Sequence, residues 1–147
     1  MQNSARIIAT FIVQKAGTPI SNLKLQKLLY YVQGWHLGIH GKPVFDEQIE
    51  AWVHGPVVPV VFREYRDFKW NPIAVSELPA KIDPEISEHT LSVLGAYGKL
   101  TAAQLEAVSH IEEPWIEARK GLGPKEPSNA VITHASMKRF FGKRANG

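Results

Sequence analysis

The hydrophobic pattern is strongest between residues 20 and 59. In Leu23-Lys24-Leu25-Gln26-Lys27-Leu28-Leu29-Tyr30-Tyr31-Val32-Gln33-Gly34-Trp35-His36-Leu37, a helical step of about 100° puts Leu25, Leu28, Leu29, Val32, Trp35, His36 and Ile39 on one arc. Tyr30 and Leu37 fall on the opposite side, so this helix is predicted to be covered on two sides and to lie at the centre of the domain. Gly34 and Gly38 form a stripe beside Tyr31 where another backbone can approach closely, at about 1 kcal/mol of helix propensity per glycine. The start is well punctuated. Gly17 and Pro19 interrupt what precedes it, Ser21 suits the N-cap, and Ile20 and Leu25 have the spacing of a hydrophobic staple.

Around this helix the pattern predicts shorter ones. Ser4 caps a first helix to about Ala16 with Ile7, Ile8, Phe11 and Ile12 as its buried stripe, and Gly17 ends it. After Gly38, Gly41 and Pro43 stop the central helix, Val44 and Phe45 fold back onto the core. Residues 48–54 alternate, with Ile49, Ala51 and Val53 on one face and Glu50, Trp52 and His54 on the other, which predicts a short strand or extended arm. Gly55-Pro56-Val57-Val58-Pro59 turns the chain into a helix with an aromatic side of Phe62, Tyr65 and Phe68. Residues 69–84, with Pro72, Pro79 and Pro84, read as a variable exposed loop holding a brief strand at Ile73-Ala74-Val75. Asp83-Pro84-Glu85 opens a helix carrying Ile86, Thr90, Val93, Leu94 and Tyr97, closed by Gly98.

Leu100-Thr101-Ala102-Ala103-Gln104-Leu105 combines a capping box with a staple, and its helix carries Leu105, Val108 and Ile111. Pro114 begins a short helix with Trp115, Ile116 and Ala118, and residues 121–129 are a loop. Ile132, Thr133 and Met137 repeat the staple spacing before a last helix ending at Phe140-Phe141, followed by a loose basic tail over about 142–147. The expectation is a mainly α fold: one compact domain, residues 1–147, of six or seven helices with a small extended or β element near residues 48–54.

Composition narrows the chemistry. A chain of 147 residues buries about two thirds of its unfolded surface, and 44% hydrophobic with 21% charged residues is ordinary for a globular protein. Cysteine is absent, which excludes disulfides, thiolate metal sites and a cysteine nucleophile and fits a reducing cytoplasm. No apolar run approaches the ~20 residues of a membrane span, and Met1-Gln2-Asn3-Ser4 lacks a basic secretory n-region. A net charge of +3 is too small to imply nucleic acid, and Lys138, Arg139, Lys143 and Arg144 read as a solvated cluster.

His36 and His40 share a helix face, the spacing of two metal ligands, but the residues between them supply no glutamate base. A metal-dependent hydrolase would need a third ligand such as Asp46 or His110. Ser109, His110, Glu112 and Glu113 hold the residue types of a triad, but sequence adjacency is poor evidence for one. Phosphate-cradling glycine loops are missing. Helices one and two could form a helix-turn-helix with Lys24 and Lys27 on phosphates, the basis for a DNA-binding autoregulator, yet the second helix is too apolar to lie in a groove. Each tryptophan taken singly is expected in the core. Tyr and Trp beside lysine are also hot-spot types, so any exposed part of Tyr30, Tyr31, Trp35, Trp52 and His54 points to a protein-recognition surface.

Three strings resemble the Panacea domain family: Leu23 to Trp35 as written above, Gly41-Lys42-Pro43-Val44-Phe45, and Glu50-Ala51-Trp52-Val53-His54-Gly55-Pro56-Val57-Val58-Pro59. The resemblance continues through Tyr97-Gly98, Ala103-Gln104-Leu105 and His110-Ile111-Glu112-Glu113-Pro114-Trp115-Ile116-Glu117-Ala118-Arg119, in the same order. That family includes SocA-like antitoxins and phage-associated proteins. The resemblance implies a non-enzymatic, cytoplasmic antitoxin of a toxin–antitoxin or prophage-associated module that neutralises a cognate toxin by direct binding. Family members are paired with toxins of unrelated types, and SocA-like members also act as adaptors to a cytoplasmic protease. It implies no catalytic residue, metal or cofactor.

On this reading Leu25, Leu28, Leu29, Val32, Trp35, Gly55, Pro56 and Trp115 are the structural motif. Lys24, Lys27, Tyr31, Trp52, His54, Val57 and Pro59 are the candidate partner-binding residues, so alanine at Lys27 and Tyr31 is expected to leave a folded domain that no longer binds. The chain departs from the family pattern at His54, where a tyrosine is more usual, and at Val60-Val61-Phe62, which replaces a more polar stretch.

Overall fold

In the computed structural model, which describes residues 4–75 and 80–146, the predicted central helix is α2 (Asn22–His40). Ser21 caps it by accepting the Lys24 N–H at 3.2 Å, and Gly41 ends it in the left-handed conformation at φ +76, its N–H on the Leu37 carbonyl at 2.9 Å. Packed around it are α1 (Ala5–Lys15), α3 (Pro59–Tyr65), α4 (Pro84–Tyr97), α5 (Ala102–His110) and α7 (His134–Asn146), with α6 (Glu113–Arg119) against α7. Leu25, Leu28, Leu29, Tyr30, Tyr31 and Val32 are all fully buried, so α2 is covered on both of its apolar sides. The capping box is formed as expected, with Gln104 N–H on Thr101 Oγ1 at 3.1 Å and Thr101 N–H on Gln104 Oε1 at 2.9 Å.

The α2–α7 contact is the most extensive between elements. Gly34 and Gly38 open the surface of α2 for Phe141, and a Cβ on Gly38 would come within 2.6 Å of the Phe141 backbone. Phe141 fills that space, edge-on to Tyr30 at 5.7 Å and to Tyr31 at 6.1 Å between ring centroids. Two glutamines seven residues apart on α2 satisfy buried backbone elsewhere. Gln33 donates to the Phe45 carbonyl at 2.8 Å and accepts the Val44 N–H at 2.8 Å. Gln26 accepts the Val58 N–H at 2.9 Å and donates to Asn22 Oδ1 at 2.8 Å, and Asn22 donates to the Phe62 carbonyl at 3.0 Å. These amides replace water for loops that α2 would otherwise leave unpaired.

Several expectations are corrected. Gly55-Pro56-Val57 is not only a turn: β1 (Ile49–Trp52) pairs antiparallel with β2 (Gly55–Val57) and, on its other edge, with β3 (Val131–Ile132), giving the order β2-β1-β3. Ile73-Ala74-Val75 forms no strand. Ile73 is held by its N–H on the Ile20 carbonyl at 2.9 Å, and Val75 is exposed; residues 76–79 of the expected loop lie outside the described residues. The last helix runs to Asn146 rather than ending at Phe141, because Gly142 packs against Gly38 and serves close approach instead of termination. Ile39 lies past the core at 53% exposure, and Ile111 follows the end of α5.

A 3-10 turn, Arg66–Phe68, extends α3. Beyond it Lys69 adopts φ +57 and ψ −121, the first central position of a type II′ turn that Asn71 N–H closes on the Phe68 carbonyl at 2.9 Å. Glycine normally takes that position, and a side chain there costs about 1–3 kcal/mol. Contrary to the core expectation for tryptophan, this turn carries Trp70 into solvent at 79% exposure.

Candidate functional site

The structure divides the expected partner surface in two. Lys27, Tyr31, Val57 and Pro59 are buried, and of the four only Val57 borders a surface groove. Lys27 lies beneath the β1–β2 hairpin, where Gly55 at φ +114 leaves the room: a Cβ there would stand 3.1 Å from Lys27 Cε. Its ammonium donates to the Leu23 carbonyl at 3.3 Å, and burial lowers its pKa to about 8 against the opposing attraction of Glu106. Tyr31 stacks on Tyr97 at 4.0 Å and shares with Tyr30 the oxygen Glu112 Oε1, at 3.1 and 3.0 Å. Glu112 is itself buried, with Oε2 unpartnered. Burial raises its carboxyl above the usual range, while the tyrosine hydroxyls and Arg144 oppose that. Alanine at Lys27 and Tyr31 therefore removes packing, which corrects the expectation of a folded variant defective only in binding.

Lys24 is half-buried, its amino group on the Gly98 carbonyl at 2.6 Å. Trp52 and His54 do reach the surface. Together with Leu23, Val57, Phe62 and Pro127 they line a groove of about 340 Å³. The Trp52 indole stands edge-on to Phe62 at 5.1 Å and donates to Glu50 Oε1 at 2.8 Å, while its carbonyl accepts the Trp115 indole N–H at 2.9 Å. His54, largely exposed at the hairpin tip, lies 3.2 Å from Glu106 Oε1. Arg119, which sequence reasoning placed only inside a matching string, holds this region from below. It donates to the Ala51 carbonyl at 3.1 Å and the Gly123 carbonyl at 2.9 Å, with its guanidinium over the Trp115 ring. The groove is thus an apolar floor on a hydrogen-bonded frame.

The alternative sites do not assemble. His36 and His40 share a face as expected, at 4.7 Å between rings, but their neighbour is His89, 5.1 Å from His36, and not His110 or Asp46. Among the described residues no three His, Asp or Glu side chains are placed to hold a metal ion. His110 instead stacks on Trp115 at 4.0 Å. Ser109 is buried and its hydroxyl donates to the Glu106 carbonyl at 3.0 Å, so no nucleophile–base pair exists there. With Lys27 buried, Lys24 engaged and α2 enclosed by other helices, the helix-turn-helix reading loses its phosphate contacts and its recognition helix. No helix among the described residues is long and apolar enough to cross a membrane.

The histidine trio carries a pH signature instead. His36 Nδ1 bonds the Lys42 carbonyl at 2.6 Å and His89 Nε2 the Val32 carbonyl at 2.8 Å, and burial is the main cause that lowers both pKa values. A histidine whose folded pKa lies below its unfolded value stabilises the fold above about pH 6.5, and that contribution is lost on acidification. The contribution of these two histidines is therefore expected to lower the thermal midpoint between about pH 7 and pH 5, so that a variant with glutamine at His36 and His89 gains on the parent as pH falls. Parallel curves for the two proteins would refute this.

Comparison with known proteins agrees with these strings and their placement. The family described as antitoxin SocA-like, Panacea domain, matches residues 25–116, from the first turn of α2 into α6. Antitoxin SocA of Caulobacter vibrioides is 37% identical, over 81% of this chain and 72% of its own length. No solved structure matches the chain. The α2 string from Leu25 onward, the β1–β2 hairpin and the Glu112–Trp115 segment fall inside the matched region, and the chain belongs to the family of SocA-like antitoxins with a Panacea domain.

Proposed function

We propose that this chain is a non-enzymatic antitoxin acting in the cytoplasm, and that it neutralises a cognate toxin by direct contact through the Trp52–Phe62 groove. The observation that carries the reading is a convergence. One residue from each departure from the family pattern, His54 and Phe62, lines the groove, on an otherwise buried motif. Such a surface lets a shared scaffold meet its own partner. The groove has the composition of a hot spot, with a partly exposed tryptophan whose polar end is already satisfied by Glu50.

The test is co-expression with the adjacent open reading frame, scoring growth and then copurification. A neighbour that arrests growth alone and is rescued in a stable complex supports the reading. Trp52→Ala and the surface change His54→Ala are expected to weaken that complex at least tenfold, with the His54 variant nearly unchanged in thermal midpoint because its exposed pair with Glu106 contributes little. Rescue at full strength by both variants would remove the groove from the contact. Toxin half-life in the rescued cells separates blocking, which leaves it unchanged, from delivery to a cytoplasmic protease, which shortens it.

A further inference from the structure

The turn Phe68–Asn71 has two properties that folding alone does not explain. Lys69 occupies a glycine conformation, φ +57 and ψ −121, and the turn it builds displays Trp70 at 79% exposure. Among the described residues no ring stacks on Trp70 and no group hydrogen-bonds its indole. A strained turn and an unpaired tryptophan both oppose stability, and they coincide at one exposed tip. Strain of this kind persists where contact with another molecule uses it.

The charges around the tip indicate what that molecule offers. Arg63, Arg66 and Lys69 are exposed, whereas Glu64 is already held by Arg6, with Nε at 2.8 Å and Nη2 at 3.1 Å. Within residues 63–70 that leaves Asp67 to oppose three cations, so this stretch is positive around an apolar ring. Its complement is an apolar socket rimmed by carboxylates.

We infer that Trp70 is a second anchor of the antitoxin, inserting into an acidic-rimmed apolar socket on the toxin while the Trp52–Phe62 groove holds a separate part of it. This rests on the function proposed above. The two contacts lie within one interface. Phe62 lines the groove, and Trp70 follows it by eight residues through the end of α3 and the 3-10 turn, a span of roughly 12–16 Å at a rise of about 1.5–2.0 Å per residue. A standard interface of about 800 Å² per partner, roughly 28 Å on a side, covers both. A protein partner suits the tip better than a nucleic acid, because single-strand platforms stack successive bases on several aromatics along a basic track. Here Tyr65 and Phe68 pack back against the core, and Trp70 is left in solvent three residues from the carboxylate of Asp67.

The experiment measures binding of the purified chain to the growth-arresting product of the adjacent open reading frame. Trp70→Ala is expected to weaken binding at least tenfold with the thermal midpoint unchanged, since the ring is in solvent. Arg66→Glu with Lys69→Glu should weaken binding and flatten its salt dependence. Lys69→Gly should raise the midpoint while keeping Trp70 in place and binding within a few-fold. Trp70→Ala binding within twofold of the unsubstituted chain overturns the inference and leaves the antitoxin reading intact. No binding by the unsubstituted chain overturns both. A labelled single-stranded oligonucleotide that the chain binds and Trp70→Ala does not, with toxin affinity unchanged, also overturns it in favour of nucleic acid.

Discussion

Replacing Gly38 with valine unseats α7 and lowers the thermal midpoint by roughly 6–12 °C. The Cβ of any larger residue at Gly38 meets backbone, 2.6 Å from the Phe141 carbonyl carbon and 2.7 Å from the Gly142 nitrogen, and backbone within two packed helices has nowhere to move. The helices must separate, and Phe141 then leaves its site among Tyr30, Tyr31 and Trp35. Loss of a fully buried phenylalanine costs about 3 kcal/mol or more, which for a domain of this size is about 2–4 °C per kcal/mol. Phe141→Ala alone should give a comparable loss. The two changes combined should be clearly less than additive, because both remove the same contact. Faster proteolysis within residues 134–146 would mark the site of the damage. A Gly38→Val protein melting within 2 °C of the parent would show that α7 contributes little.

Glu112→Ala is the second large effect, with a midpoint loss again of roughly 6–12 °C. It strands two buried tyrosine hydroxyls at about 1–3 kcal/mol each, and about 3 kcal/mol in total corresponds to that range at this size. Glu112→Gln should behave in the opposite way, since its amide oxygen still accepts from Tyr30 and Tyr31 while the titration disappears. Burial raises the Glu112 carboxyl, so the folded state keeps a proton that the unfolded state has released. Stability from this group is therefore lost as pH rises from the ordinary carboxylate range through the raised folded value. Melts of the three proteins between pH 5 and pH 8 should show Glu112→Gln gaining on the parent as pH rises. Parallel curves would place the proton elsewhere, and an undiminished Glu112→Ala would show the tyrosines satisfied without it.

Local signals in the sequence were good guides wherever the structure they specify is local. The arc of α2 from Leu25 to His36, the caps at Ser4, Ser21 and Thr101 and the Gly34–Gly38 stripe all follow from spacings of three or four residues, and all are present in the fold. The sheet was only partly visible, because β2 and β3 have three and two residues and exist through pairing with β1 at a distance in sequence. The last turn of α7 read as a loose tail because Gly142 is seated by Gly38, about a hundred residues earlier.

The partner surface was harder, since residue type does not fix burial for amphipathic side chains. Lys27 and Tyr31 have the composition of a recognition surface, but one lies under Gly55 and the other is bonded to Glu112. Trp70 was assigned to the core by type, and nothing local announced that Lys69 would take a glycine conformation. A usable signal did exist in Gln26 and Gln33: two amides seven apart on an apolar helix face require buried partners, and both found backbone.

The docking of α7 on α2 also sets an order of events at the ribosome. The glycine face of α2 and the aromatic rings beside it are synthesised early, but the residues that cover them come about a hundred positions later, a delay of roughly 5–20 s at common elongation rates. Throughout that interval the nascent chain shows its central helix, incompletely covered, to chaperones and proteases. Supply of the folded protein then depends on finishing translation as much as on starting it, and a stalled ribosome leaves a chain whose central helix stays uncovered.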